Sequence, residues 1–256
     1  MHILVTNDDG VNAPGLLALA QAFRTLGDVT VVAPDRNWSA SGHVKTMHRP
    51  LRVVETQLSD GSPALTTDGA PSDCVAIAIL GIVEQPIDLV ISGINPNANV
   101  GHDVTYSGTV TAAMEAAISG LPGFAYSMNT PIDHTGTIDY STAAEVAVSV
   151  ARQVLTKPIP EMLVLNVNIP YGSREDISGI AVTRQGLRIY RDALVEREDP
   201  RMRKYYWIGG EAPTGIAEPG TDFWALANNF VSITPLTLDL TDSQFLPILE
   251  GWELTI

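Results

Sequence analysis

The sequence predicts an α/β protein built on a doubly wound, mostly parallel sheet. Three observations predict it. Short, nearly unbroken apolar runs recur along the chain and end in turn-forming residues. Segments with apolar residues at helical spacing separate these runs, giving the alternation of a βαβ protein. The runs carry no charge inside, as strands buried on both faces of a parallel sheet require.

His2 to Thr6 is the first strand, stopped by Asn7-Asp8-Asp9-Gly10. Leu16, Leu19, Ala20 and Phe23 mark a helix face, with Pro14 suited to its first turn and Gly27 to its end. Val29 to Ala33 is the next strand, closed by Pro34-Asp35. Ser72 to Ile82 reads as a buried helix, and Leu89 to Ile94 as a strand. Val110, Ala113, Met114, Ala117 and Ile118 form a further helix face, and Phe124 to Ser127 a strand. Ala143 to Leu155 is then a helix and Met162 to Asn168 a strand. From Ile180 to Ile208 the pattern changes to a charge-dense hairpin or arm. Phe230 to Thr234 reads as a last strand, and Leu238 to Leu249 as a terminal helix broken near Pro247. No linker or repeat marks a second domain, so 1–256 is expected to be one unit, with about 180–210 as arm and 238–256 as C-terminal helix.

Composition narrows the function classes. Apolar residues make up 45% and charged residues 17% of the 256, a globular balance. Fifteen Lys and Arg against 29 Asp and Glu leave a net charge of −14, which argues against a nucleic-acid polymer or an anionic membrane as partner. An anionic substrate must therefore be caught by a local positive source. The single Cys74 excludes an internal disulfide and a multi-cysteine zinc site, and reads as a core residue. The longest apolar stretch, Cys74 to Val83, is too short to span a membrane. Asp8 and Asp9 interrupt the opening run where a signal peptide would continue, so a cytoplasmic protein is expected.

Ligands of open α/β sheets bind outside the carboxyl ends of the strands. Asp8 and Asp9 stand at such an end, and two adjacent carboxylates repel unless a cation lies between them. Oxygen ligands suit a hard divalent cation. The competing reading is a plain Asp-Asp-Gly turn. Ser39 and Ser41 follow the second strand and Asn95 follows the Leu89 to Ile94 strand, offering neutral oxygens at neighbouring ends. Tyr106-Ser107-Gly108-Thr109 opens a helix, where free N–H groups and the dipole favour a phosphate, although Ser and Thr are also ordinary caps. His43 and His102 lie in nearby loops. Arg184, Arg188, Arg191 and Arg201 sit among Glu196, Glu198 and Asp199, as in a solvated arm. Neither a dinucleotide-binding nor a P-loop glycine fingerprint is present.

Six runs together resemble the stationary-phase survival protein SurE family of metal-dependent 5′/3′-nucleotidases. They are Ile3 to Gly10, Ala33 to Asn37, Ser92 to Asn95, Tyr106 to Val110, Leu165 to Pro170 and Ser232 to Leu236, spread over nearly the whole chain. The resemblance implies a Rossmann-like domain with one divalent cation per subunit, Mg²⁺ or Mn²⁺, held by Asp8, Asp9, Ser39 and Asn95. It implies catalytic roles for Asp8 and Asp9 and phosphate contacts from Asn95, Ser107, Gly108 and Thr109. It further implies an arm and C-terminal helix exchanged in a homodimer or homotetramer, and nucleoside monophosphates as substrates. Asn97, Trp38, Ala40 and Ala116 depart from the family pattern, and three of them fall in loops around the site.

Two alternatives stay open on the sequence alone. One is a hydrolase of another phosphate or acyl ester, which would share every proposed ligand. The other is a non-catalytic metal or phosphate module, such as a receiver-type domain, although Asn95 stands where such a domain has its acceptor Asp.

Overall fold

Strand β1, His2–Thr6, is buried along its whole length because it sends side chains into two separate layers. Ile3 and Val5 pack with Leu16, Leu19 and Phe23 of α1, Pro14–Phe23, and with α4, Ser141–Val154. Leu4 packs on the other face with Cys74 and Val75 of α2, Pro71–Ile77, and with Ala112 and Ala116 of α3, Gly108–Ile118. Each fully buried Ile, Leu or Phe contributes roughly 1.5–3 kcal/mol, so two-sided burial rather than strand propensity holds β1 at the centre. The computed structural model describes residues 1–160, 162–252, 254 and 255, with backbone alone at 211–213.

The other strands of the main sheet are β2 Asp28–Pro34, β3 Val53–Gln57, β4 Pro63–Thr67, β5 Leu89–Asn95, β6 Gly123–Asn129, β7 Val164–Pro170, β8 Gly179–Val182 and β11 Phe230–Leu236. Their order is β3-β4-β2-β1-β5-β6-β7-β11-β8. From β4 to β7 every neighbour is parallel, whereas β3 and β11 run antiparallel to β4 and β7. The fold is thus α/β, Rossmann-like and mostly parallel. The chain winds outward from β1 to β2 and then returns to β5 on the other side of β1, so the switch point lies between β1 and β5. Ligands of such sheets bind at that point, outside the strands' carboxyl ends. There β1 and β5 pair with Thr6 opposite Ser92 and deliver Asp8, Asp9 and Asn95 to one rim.

Several elements differ from the sequence expectation. The segment Val53–Thr67 forms a hairpin that extends the sheet, although Glu55 and Gln57 interrupt its apolar pattern. The charge-dense region splits in two. Gly179–Val182 pairs with β11 in the main sheet, and the arm is a separate hairpin of β9, Arg188–Glu198, and β10, Lys204–Gly215. Helix α2 passes at Ala78 into a wider turn, Ala78–Ile82, kinked at Gly81; Ala78 stays buried against the sheet while Leu80 is 82% exposed. A short helix α5, Asp222–Ala227, is new. The terminal helix shrinks to α6, Leu246–Glu250, with Pro247 in its first turn rather than breaking it. Pro lacks the N–H that only later turns need, so it starts a helix there. Of the expected 238–256 helix, positions 253 and 256 lie outside the described residues. No helix among the described residues is long and apolar enough to cross a membrane.

Candidate active site

Asp8 leaves β1 through a turn latched by Asn7, whose side chain both donates to and accepts from Gly10, at 3.1 and 3.2 Å. Gly10 has φ +100°, a conformation that favours glycine, and a Cβ there would lie 3.2 Å from the Arg36 carbonyl carbon. The latch turns Asp8 inward to 4% exposure and leaves Asp9 half-buried.

The Asp8 carboxylate lies at the N-terminus of α3. Thr109 Oγ1 donates to Asp8 Oδ1 at 2.6 Å, and the backbone N–H groups of Gly108 and Thr109 also act on it. A Cβ on Gly108 would lie 2.7 Å from the Asp8 Cβ, so glycine is what lets helix and carboxylate meet. Burial raises the Asp8 pKa, and these hydrogen bonds oppose the rise. Burial and the Asp8 charge push Asp9 up to about 6, with Asn37 Nδ2 donating to its Oδ1 at 3.0 Å. Among the described residues, the groups acting on the two carboxylates are neutral donors and, for Asp9, the charge of Asp8. Two adjacent carboxylates without a counter-charge suit a divalent cation. Among the described residues no three His, Cys, Asp or Glu come together for metal binding, so a cation here relies on this pair and neutral oxygens.

Asn37 also accepts from the Ser39 N–H at 2.8 Å, so one amide bridges Asp9 and the Ser39 loop. The Trp38 N–H donates to the Asp8 carbonyl at 2.7 Å. Ala40 has φ +57°, left-handed backbone that favours glycine, at the position where the family resemblance expects one. Asn95 is turned out by a bulge in β5, where the register against β6 shifts between Ser92 and Asn95. Gly93 permits that bulge, since a Cβ would lie 2.2 Å from the Tyr126 carbonyl oxygen. The Asn95 Nδ2 donates to the Asn97 carbonyl, which leaves its Oδ1 as the oxygen available to a cation.

The loop that carries Ser39 is held from below. Glu115 of α3, 4% exposed, accepts from His43 at 2.9 Å and from Lys45 at 3.0 Å, and these partners hold its carboxyl below the usual range. Ser72 donates to the Val44 carbonyl, and Thr46 donates to Asp73. His43 is therefore committed to Glu115.

Ser107 caps α3 by accepting from the Val110 N–H at 3.1 Å. Capping uses an oxygen lone pair, so its hydroxyl proton remains available for a phosphate oxygen. The loop after β5 is clamped by β7. Asn166 and Asn168 Nδ2 both donate to the Asn99 carbonyl, at 2.8 and 3.0 Å, and Asn168 Oδ1 accepts from the Asn99 N–H at 2.8 Å. Asp222, fully buried, accepts from the N–H groups of Gly101 and Gly186, both at 2.8 Å, and so joins this loop to the arm.

The structure thus joins Asp8 to Thr109 at the start of α3 and Asp9 through Asn37 to the Ser39 loop, with Asn95 at the end of the strand beside β1. Sequence reasoning missed the supporting asparagines Asn7, Asn37, Asn99, Asn166 and Asn168, and Asp222. Their signal was polar side chains inside or next to apolar strands. Other candidates stand elsewhere. His102 is exposed on the turn Gly101–Thr105, and Arg184 pairs with Glu218 at 2.9 Å. Arg188 pairs with Asp103 at 3.0 Å, Arg191 donates to Thr214, and Arg201 is exposed on the tip of the arm. Cys74 is fully buried, and burial raises its thiol pKa far above the usual range, as a core residue requires.

Comparison with known proteins gives the family. The model of the family described as "Survival protein SurE" matches residues 3–192. A protein of Herpetosiphon aurantiacus named 5′-nucleotidase SurE is 54% identical over 243 residues, covering 94% of each chain. One of Chloroflexus aggregans with the same name is 51% identical and covers 99% of each. The crystal structure of the SurE protein from Aquifex aeolicus superposes with a TM-score of 0.82 at 41% identity, covering 99% of this chain and 100% of that one. The chain belongs to the survival protein SurE family.

Proposed function

We propose that this protein is a 5′-nucleotidase, a phosphoric monoester hydrolase that converts nucleoside monophosphates to nucleoside and phosphate. The observation that carries the reading is the unpaired Asp8–Asp9 carboxylates set against the N-terminus of α3 at the sheet's switch point. Relatives that align over nearly the full chain bear the name 5′-nucleotidase. We assign Asp8, Asp9, Ser39 and Asn95 to one divalent cation per subunit, Mg²⁺ or Mn²⁺. When bound, such a cation neutralises phosphate charge and activates an attacking oxygen.

The chain's own residues do the rest. Asp8 and Asp9 carry the charge that draws the cation, and Asn37 and Thr109 fix their rotamers. Asn95 presents Oδ1 to cation or phosphate. Ser107, Gly108 and Thr109 offer a hydroxyl proton and helix-terminal N–H groups to the equatorial phosphate oxygens. This answers the charge problem, since a chain of net charge −14 needs only one cation and one helix terminus to hold phosphate. We also read the chain as a homo-oligomer, dimer or tetramer. Leu194, Trp207 and Ile208 on the hairpin and Ile248 and Trp252 near the C-terminus are exposed, which supports that reading.

The test is phosphate release from a panel of 5′- and 3′-nucleoside monophosphates with Mg²⁺, Mn²⁺ or EDTA. We expect release that EDTA and Asp8→Asn both abolish. A folded, Mn²⁺-binding protein that releases phosphate from no nucleotide would overturn the reading.

A further inference from the structure

Asp103 is held from two sides. Its carboxylate accepts from Tyr190 Oη at 2.6 Å and pairs with Arg188 Nε at 3.0 Å, and both partners lie near the start of β9, at the root of the arm. Its backbone carbonyl accepts from the Tyr106 and Ser107 N–H groups, at 3.0 and 3.1 Å, so the turn that opens α3 hangs from it. Two further bonds tie the same stretch to the arm. Gln185 Nε2 donates to the Gly101 carbonyl at 2.9 Å, and Asp222 joins the N–H groups of Gly101 and Gly186. The arm beyond this root presents exposed Leu194, Trp207 and Ile208, and it forms a two-stranded sheet separate from the main one.

We propose that Asp103 is a positioning residue for phosphate binding, through which Arg188 and Tyr190 of the arm set the placement of Ser107 at the start of α3. This rests on the phosphatase reading above. Asp103 touches neither the Asp8–Asp9 pair nor Asn95 among its hydrogen bonds and ion pairs, so its effect falls on the phosphate half of the site. Its pair with Arg188 is mostly buried, both side chains being 20% exposed, so removing the carboxylate also costs stability. What it supplies is register. A small displacement of groups that contact a transferring phosphoryl costs far more in binding and rate than in folding.

The experiment compares wild type with Tyr190→Phe, Asp103→Asn, Asp103→Ala and the Tyr190→Phe/Asp103→Ala double variant. It measures kcat and KM for a 5′-nucleoside monophosphate, the affinity for inorganic phosphate by calorimetry, Mn²⁺ affinity and melting temperature. Asp103→Ala is expected to raise KM and weaken phosphate binding about tenfold, with Mn²⁺ affinity close to wild type and a lowered melting temperature. Tyr190→Phe should give a smaller change of the same kind. The double variant should be no worse than Asp103→Ala, because the tyrosine acts through the aspartate. Unchanged KM and phosphate affinity would overturn the proposal, as would additive effects or a parallel loss of Mn²⁺ affinity. Should Asp103→Ala fail to fold, Asp103→Asn and Tyr190→Phe decide the matter. Wild type that releases no phosphate from nucleotides would sink the nucleotidase reading instead, and phosphate calorimetry on the variants would still judge Asp103.

Discussion

Thr109 Oγ1 donates a 2.6 Å hydrogen bond to Asp8 Oδ1, joining residues 101 positions apart in sequence. The bond brings the carboxylate that ends β1 onto the helix start expected to hold phosphate. Asp8 therefore shares the α3 N-terminus with the phosphate expected there, so loss of the Thr109 hydroxyl acts on both.

Thr109→Val keeps the side-chain shape and removes the donor. A buried carboxylate that loses one hydrogen bond is destabilised by about 1–3 kcal/mol in its charged form. Asp8 then holds its proton more tightly, and a cation must displace it. Mn²⁺ affinity at neutral pH should fall about tenfold, which corresponds to 1.4 kcal/mol, and isothermal titration measures it. An unchanged affinity would mean that the Thr109 hydroxyl serves phosphate alone.

Cation binding should depend on pH through Asp9. Its folded pKa is raised to about 6 from the ordinary 3.8. The metal-free fold thus has a stabilising term that is fully present below pH 3.8 and is lost as pH rises through about 6. A cation that replaces the proton restores it, so the rise in melting temperature caused by Mn²⁺ should be small at pH 5 and reach a plateau above pH 7. Thermal unfolding with and without Mn²⁺ across that range checks this. A Mn²⁺ effect that is flat with pH would contradict it.

Asn168→Leu breaks the clamp on the loop after β5. The change removes a donor to the Asn99 carbonyl and the acceptor of the Asn99 N–H, leaving Asn166 as the remaining β7 donor. One unsatisfied buried N–H costs about 1–3 kcal/mol, so the melting temperature should fall by several degrees. Because this loop runs on from Asn95, kcat/KM should fall further than the stability loss explains. A variant of wild-type stability and rate would show that the clamp is dispensable.

The order of strands and helices was legible in the sequence wherever an element is buried on one consistent pattern. β1, β2, β5, β6 and β7 carry apolar runs because both faces of a parallel sheet exclude water, and α1 and α4 show one apolar stripe each, whereas α3 is buried on two sides and Ile118 of its expected face is exposed. The hairpin Val53–Thr67 was not legible, since three of the five β3 side chains that alternate in such a strand are Glu55, Thr56 and Gln57, and the edge leaves them wet. Nor was the division of the charge-dense region between β8 and the arm, because Gly179–Val182 has only four residues and its partner β11 lies about fifty residues away.

The sequence by itself determined which groups exist to do chemistry. Adjacent Asp8 and Asp9 after an apolar strand, Asn95 after another and a Ser-Gly-Thr helix start are local facts, and turn and cap preferences act over a few residues. Only the tertiary structure decided how they meet. Asn37 bridging Asp9 to Ser39, Asn166 and Asn168 clamping Asn99, and Asp103 linking arm to phosphate turn are contacts between distant segments. Such contacts follow from strand order and register, which no short stretch of sequence encodes, since the hydrophobic pattern says that a face is buried and not what it is buried against.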